Sequence, residues 1–287
     1  MEPAVARRLW TLYEPIHAVT YFAPEVTAAW AEVGVTGFWR GYFAGRAAPL
    51  APAGPEVVTA AFFGFAPEMV ARAIPSVWSL VSPADALAVR RAGAVAALDA
   101  ALGPVGPDEE EAASLLRTAA EAATPDGRPL AAANLHLPWP APAAGPRATL
   151  WHAATVLREH RGDGHVAALV AADLTGLEAN VLAVAAGPLT AARFQQIRGW
   201  TPEAWAGAEA ALAARGLLAP DGTITPAGEA LRADVEAATD AAALRPWRAL
   251  GPEGVARLDA LLAPLVARLL ATDVIPDPNP IGVPRPS

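Results

Sequence analysis

Two residue types are missing from this chain, and each absence excludes a group of mechanisms. It has no cysteine, and all of its 21 basic residues are arginine because it has no lysine. Without cysteine there are no disulfides, iron–sulfur clusters, thiolate zinc sites or cysteine nucleophiles. Without lysine there is no Schiff-base catalysis and no phosphate-binding P-loop.

The chain also lacks a long uncharged apolar run, although 54% of its residues are hydrophobic. A spanning helix needs about 20 apolar residues, and the N-terminus shows no basic segment leading into an apolar one. We therefore expect a cytoplasmic protein with no membrane contact. The high apolar content predicts a large core and favours a homodimer that covers part of the surface. Arginine in place of lysine, with 29 prolines, suggests a GC-rich genome.

The apolar spacing is mostly helical and is interrupted by proline and glycine, so the expected fold is mainly α. The first helix is expected to cover Pro3 to about Tyr13 and to break at Glu14-Pro15. It predicts an N-terminal helical body packed on a C-terminal winged-helix module with a small β-wing. Residues 1–147 form the first predicted domain, with a proline-rich strap at 124–147. Residues 148–243 form the winged-helix domain with a preceding polar helix, and residues 244–287 form a C-terminal helix and an extended Pro-rich tail.

The winged-helix prediction depends on an ordered series of signals between residues 177 and 240. Gly187-Pro188 ends one helix, Thr190 caps a second, and Thr201-Pro202-Glu203 begins a third, the one that would lie in a DNA groove. Two short β-prone segments around Asp221-Gly222 then predict a hairpin, before Pro226 starts a closing helix. The pattern resembles the MarR-like winged helix, including its wing sequence of the form "LL..DG.IT..G..L".

The charge of this segment argues against DNA binding, because DNA-reading helices and wings need basic groups for the phosphates. The third helix carries Glu203 and Glu209, and its one base, Arg215, stands at the far end. Residues 188–240 hold four arginines against seven acidic residues, and the whole chain has a net charge of −8. We therefore expect the winged helix to be a structural or dimerisation module and nucleic acid not to be a partner.

The densest polar chemistry lies just before this module, between Trp151 and His165, which holds three of the five histidines. If the segment is helical to about His160, the backbone is released at Gly162 and Gly164. Arginines, a carboxylate and a histidine at such a break suit an anionic ligand. The candidate ligand-binding residues here are His152, Arg158 and Arg161, and the candidate catalytic residues are Glu159, His160, Asp163 and His165.

The same residues are open to other interpretations. Arginine, glutamate and aspartate at a helix end commonly form an ion-pair network that only fixes two helices together. A metal site using His160, Asp163 and His165 is a further alternative, but its spacing matches no standard motif, so no metal site is predicted.

A second polar cluster stands near the start of the chain, where aromatic residues are concentrated. Its candidate ligand-binding residues are His17, Tyr21, Arg40 and Arg46. The alternative is an aromatic core whose polar ends find local partners. We hypothesise that both clusters converge on one pocket walled by Phe62, Phe63, Phe65 and Trp78, the last also a candidate ligand contact. Substitution of Arg158 or Tyr21 should then abolish ligand binding without unfolding the protein.

Several longer motifs together carry a resemblance that spans nearly the whole chain: "EPIHAVTYFAPE", "GYFAGRAAPL", "RAIPSVW", "LWHAATVLREHRGDGHVAALVAA" and "RGW". They resemble the actinobacterial SalK-like helix-turn-helix family. The resemblance implies an α-helical cytoplasmic protein with a winged helix, and it supplies no catalytic residues.

The sequence thus favours a small-molecule-binding helical protein, which could be an enzyme, with the winged helix as a packing module. The alternative is a MarR-like transcription regulator that binds DNA. No GxGxxG motif after a strand and no nucleophile elbow identifies a reaction or a cofactor.

Overall fold

The computed structural model describes residues 1–279 and 281–283, and these residues are mainly α-helical, as predicted. Most helices begin with proline in the first turn, where its missing N–H costs nothing. The α-helices are α1 (Pro3–Phe22), α2 (Pro24–Glu32), α3 (Phe38–Ala47), α4 (Pro55–Phe62), α5 (Pro67–Ala71), α6 (Pro83–Leu102), α7 (Pro107–Glu121), α8 (Pro129–Leu135), α9 (Gly145–Ala171), α10 (Gly176–Ala185), α11 (Ala191–Arg198), α12 (Pro202–Ala214), α13 (Pro226–Ala242) and α14 (Arg245–Leu270). Short 3-10 turns lie at Ala48–Leu50, Ser76–Ser79 and Pro142–Ala144.

The buried apolar side chains form two clusters, and α9 contributes to both. The larger cluster joins α1, α2, α3, α6 and α7 to the first half of α9 and to α14. The smaller one begins at Leu169, near the end of α9, and continues through α10, α11 and α12 to Val235 on α13. The side chains of Trp39 and Trp200 pack against both clusters, so the two cores share a boundary.

The order of helices predicted for the C-terminal half is confirmed in α10 to α13, but the predicted β-wing is wrong. The described residues contain no strand, and Leu218 and Ile224 form one isolated antiparallel bridge. The segment is too short for a ladder, because the chain reverses at Asp221-Gly222 and α13 begins at Pro226. The pairing ends at Thr225: its N–H still donates to the Leu217 carbonyl at 3.1 Å, but its hydroxyl accepts from the Gly228 N–H at 3.1 Å and caps α13.

Two predicted helix ends are also wrong. The first helix does not stop at Glu14-Pro15 but continues through Pro15 to Phe22, and its second half is almost entirely buried. The polar helix does not stop near His160, because α9 runs unbroken through Gly162 and Gly164 to Ala171. In both cases burial on several sides outweighs the local cost of proline or glycine in a helix.

The segment predicted as a proline-rich strap contains the helix α8. Its residues Leu130 and Ala131 are buried, and α8 packs along α9. The C-terminal segment leaves α14 after Leu270, and its Ile275 and Val283 are buried in the larger cluster.

No single helix among the described residues has both the length and the apolar composition needed to cross a bilayer; by those criteria alone, segments 142–171 and 176–185 would qualify only as a pair bent by 96°.

Candidate functional site

A cavity of about 400 Å³ lies where the two hydrophobic clusters meet. One face of α9 forms its wall through Arg158, Gly162, His165, Val166 and Leu169, which recur at helical spacing. The remaining walls come from α3, from the loop after α4, and from α10, α11 and the C-terminal segment. Because the cavity lies between elements distant in sequence, only the tertiary fold creates it.

Two of the predicted arginines meet at this cavity around one buried carboxylate. Arg46 on α3 donates from Nε and Nη2 to the two oxygens of Glu159, each at 3.0 Å. Arg158 donates from Nη1 to the same carboxylate at 2.9 Å. Burial raises the pKa of Glu159, but Arg158 and Arg46 lower it more, so that its pKa lies below the ordinary range. Glu159 is therefore ionised at neutral pH and holds both arginines in place.

A third arginine at the cavity, Arg198, was missed as a site residue in the sequence. It is the last residue of α11, and the chain turns away from it at Gly199, whose φ of 78° is readily adopted only by residues such as glycine. Its guanidinium lies 4.5 Å from the centre of the Phe65 ring and interacts with the Tyr42 hydroxyl. Burial lowers the pKa of Arg198, and the neighbouring Tyr42 partly reverses that effect. The signal in the sequence is the motif "RGW", which places this arginine directly before a glycine at the end of the helix.

The predicted convergence of aromatic residues on the site holds for Phe62, Phe63 and Phe65, which line the cavity. The loop that carries them is fixed by the Gly64 carbonyl, which accepts from Asn180 Nδ2 at 2.7 Å and from Trp200 Nε1 at 3.1 Å. The lining is thus cationic at the arginines and apolar elsewhere, and no Asp or Glu is among its described lining residues.

His165 offers a hydrogen-bond acceptor at the edge of the cavity. Its Nδ1 lies 3.0 Å from the hydroxyl of Thr239, which itself donates to the Val235 carbonyl at 2.7 Å. Because the hydroxyl proton is already used, Nδ1 of the neutral imidazole must donate, which leaves Nε2 as the acceptor. Burial lowers the pKa of His165, although Glu236 opposes this. A neutral imidazole of this kind could accept a proton from a bound molecule.

His17 and Tyr21 lie beside the arginines, in a buried chain of hydrogen bonds. His17 Nδ1 is 2.9 Å from the Thr155 hydroxyl, and His17 Nε2 is 2.8 Å from the Tyr21 hydroxyl. Thr155 donates its own proton to the Trp151 carbonyl at 2.8 Å, so Nδ1 donates to Thr155 and Tyr21 donates to Nε2. Burial and then Arg158 hold the pKa of His17 well below its usual range. The Tyr21 ring packs against the Tyr42 ring at a tilt of 40°, 5.2 Å between centroids, which links this hydrogen-bonded chain to the cavity.

Other residues predicted for the site lie elsewhere. Arg40 is exposed on α3, and Trp78 does not line the cavity. His152 packs edge-on against Trp139, 4.7 Å between ring centroids, and burial lowers its pKa to about 4. Arg161 faces α13, where it pairs with Asp240 at 3.0 Å.

His160 and Asp163 point toward α8 and α14 because α9 does not break between them. Asp163 accepts from the Ala131 N–H at 2.9 Å, and burial raises its pKa to about 6. Burial, with Arg128 and then Arg245, lowers the pKa of His160 to about 3. These two residues do not meet His165, and among residues 1–279 and 281–283 no cluster of three or more His, Asp or Glu side chains is arranged to hold a metal ion.

The basic residues of the helix-turn-helix segment α11–α12 are mostly engaged by the protein itself. Arg198 is half-buried in the cavity wall, and Arg215 donates to the carbonyl of Asp173, just after α9, at 2.7 Å. The exposed side of α12 presents Glu203 and small residues such as Ala206 and Ala210. Its apolar side chains Trp205, Ala208 and Leu212 face the smaller cluster.

Comparison with known proteins gives one match. A search of curated proteins and a search of solved structures each returned no match to the chain. Residues 6–276 match the model of a helix-turn-helix family. Because this match covers nearly the whole chain, the protein belongs to that helix-turn-helix family.

Proposed function

We propose that the protein binds a small organic anion with an aromatic or aliphatic body in the cavity between the two hydrophobic clusters. The observation that carries the proposal is a lining that includes Arg46, Arg158 and Arg198 without any carboxylate among its described residues. Guanidinium groups bind carboxylate and phosphate oxygens through paired hydrogen bonds. The volume of about 400 Å³ lies within the range of sites for small molecules.

The aromatic walls favour a ligand that is not merely an inorganic ion. Phe62 stacks under Arg46, 4.2 Å from its guanidinium carbon to the ring centre, and Phe65 lies under Arg198. Rings in these positions keep the guanidinium groups oriented and offer apolar area to the ligand. An apolar body buried there adds binding energy that phosphate or chloride alone would not gain.

The proposal is tested by calorimetric titration with 3-phenylpropanoate and with its neutral amide at pH 7.5. We expect the acid to bind at least about tenfold more tightly, since a charge-assisted hydrogen bond is worth about 1.5–3 kcal/mol. Arg198→Gln should remove this preference. Arg193→Gln is the matched control, because Arg193 is exposed on the same helix and bonds Gln196. Equal binding of acid and amide by the unaltered protein would refute the proposal.

A DNA-binding regulator is the second candidate, and membership of a helix-turn-helix family is the observation that favours it. The exposed side of α12 supplies an acid and small residues, which is unfavourable for phosphate contact. Fluorescence anisotropy with sheared genomic duplex DNA, at 50 and 200 mM salt, separates the candidates. A regulator predicts affinity that falls steeply with salt, whereas our proposal predicts no binding at either concentration.

A further inference from the structure

A second cavity, of about 430 Å³, adjoins the first along α9. The two cavities share the lining residues Arg158, Gly162, His165, Ile281 and Gly282. Beyond these shared residues the second cavity is lined by Arg161 of α9, by Arg7 and Trp10 of α1, and by Arg232 of α13. The two spaces are therefore adjacent compartments separated by a wall that includes two glycines.

The two compartments concentrate arginine side chains in an acidic protein. Six of the chain's 21 arginines line one or both of them: Arg7, Arg46, Arg158, Arg161, Arg198 and Arg232. The acids lining the second compartment are Glu14 and Glu236. Glu236 pairs with Arg7 and Arg161, and Asp240, outside the lining, pairs with the same two arginines. Each compartment thus carries more arginines than carboxylates in its lining, in a chain whose net charge is −8.

Gly162 lies in the shared wall, and its lack of a side chain has no explanation in the packing of the protein. A methyl group there would approach Arg158 Nη1 and Glu159 Oε2 at 3.8 Å, an ordinary contact distance. Gly164, two residues on, differs: its added carbon would lie 2.7 Å from Arg128 Nη1. Glycine inside a helix is unfavourable relative to alanine. The open space beside Gly162 is what an extended ligand would need.

We infer that the two compartments form one binding site for an elongated organic dianion, with one anionic group at Arg46, Arg158 and Arg198 and the other at Arg161 and Arg232. The ligand passes Gly162, and its apolar middle lies along α9. The inference depends on the proposed function, because it specifies the class of anion that the first compartment binds. From Arg158 to His165, the shared wall runs about 10 Å along the helix axis, which sets the scale of the ligand.

The test is a calorimetric titration of the full chain with straight-chain α,ω-dicarboxylates from succinate to sebacate, each compared with the monocarboxylate of the same length. We expect short dicarboxylates to gain nothing over their monocarboxylates. Long ones should bind about tenfold or more tightly, because the second carboxylate then reaches its own arginines.

Two substitutions test where the second carboxylate of the ligand binds. Arg232→Gln should reduce the affinity of the long dicarboxylate to that of the monocarboxylate, while monocarboxylate binding stays unchanged, since Arg232 lines the second compartment alone. Gly162→Val should weaken the long dicarboxylate more than the short one, because the added side chain narrows the passage.

The substitution Gly162→Ala tests whether the open space at this position serves ligand binding and not folding. It should raise Tm by about 1–3 °C, as expected for alanine in place of a helical glycine, while it weakens the long dicarboxylate. The control is Gly207→Ala on α12, which also has open space around it and lies outside both compartments. That variant should raise Tm similarly and leave binding unchanged.

The outcomes separate this inference from the proposed function. If long dicarboxylates bind no better than monocarboxylates, yet 3-phenylpropanoate still binds better than its amide, the single elongated site is refuted and the anion site stands. If no carboxylate binds better than a neutral analogue, both are refuted. A length-dependent gain that Arg232→Gln abolishes supports the inference.

Discussion

Single buried ionisable residues determine how the stability of the protein changes in acid. Burial lowers the pKa of His160 to about 3 and that of His152 to about 4. Such a histidine takes up a proton only when the protein unfolds, so the free energy of unfolding falls as the pH drops from 6.5 toward the folded pKa. Asp163 acts in the opposite direction: its pKa is raised to about 6, so it adds stability as the pH falls from 6 to 3.8.

We predict that His160→Leu makes the protein less sensitive to acid. Between pH 7 and pH 4.5, the unaltered His160 costs about 3 kcal/mol of stability, at 1.36 kcal/mol per unit of pKa shift. The loss of unfolding free energy over this range should therefore be smaller in the variant by about that amount. Urea denaturation at both pH values measures it, with His136→Leu, at an exposed position, as control. An unchanged loss would show that His160 is protonated in the folded protein.

The candidate site shows which single residues the sequence could identify. Arg46, Arg158 and His165 stood out because polar residues are few in an apolar chain, and all three line the cavity. Arg40, chosen by the same criterion, and Trp78, chosen as an aromatic wall, lie outside it. Arg198 was missed because its importance comes from the turn at Gly199, which directs the end of α11 inward.

Among the elements, α9 organises the molecule, because it contacts helices on several sides and carries residues of both cavities. Its first turn is fixed by Arg147, which donates to Glu109 on α7 at 2.7 and 2.9 Å and to Asp99 on α6 at 2.7 Å. Arg147 and Glu109 are both buried. Burial raises the pKa of Glu109, but the interactions with Arg147 more than offset this rise. The pKa of Glu109 is therefore lowered, and the pair remains ionised.

We predict that Arg147→Met destabilises the protein by about 3–5 kcal/mol at pH 7, since it leaves the buried Glu109 without its counter-charge. Arg117→Met is the control on α7: Arg117 pairs with Glu121 on the surface, where a pair contributes under about 1 kcal/mol. Urea denaturation of both variants gives the comparison. Similar small losses in the two would mean that water enters beside Glu109 and replaces the guanidinium.

The continuity of α9 also explains why the predicted catalytic group does not assemble. A break at Gly162 would have let His160, Asp163 and His165 approach one another. On an unbroken helix they face different neighbours, and only His165 reaches the cavities. Glycine spacing suggested a break, but packing on several sides of the helix decided against it.

At the scale of the whole molecule, the two hydrophobic clusters are joined by a few specific contacts. The Ala66 N–H donates to the Arg198 carbonyl at 2.8 Å, and Trp200 and Asn180 donate to the Gly64 carbonyl. At Gly176, an added carbon would lie 1.9 Å from the Phe63 oxygen, so α10 packs directly on this loop. The cavity lies beside these contacts, and a ligand there would touch both clusters.

We predict a single thermal unfolding transition for the unaltered protein and two transitions for Trp200→Ala, since that substitution removes a side chain that packs on both clusters. Differential scanning calorimetry distinguishes the two cases. Trp139→Ala is the control, because Trp139 packs on the larger cluster alone. Two transitions in the unaltered protein would show that the clusters unfold independently.

The sequence alone determined the mainly α fold, the order of helices from α10 to α13, and the excluded chemistries, because these depend on composition and local spacing. The domain boundaries, the dimer and the cytoplasmic location remain predictions. Tertiary structure decided that Pro15 and Gly162 lie inside helices, that one bridge before α13 takes the place of a wing, and that Arg46, Arg158 and Arg198 meet at one cavity. These outcomes depend on burial and on contacts between distant segments, which outweigh local preferences of about 1–3 kcal/mol.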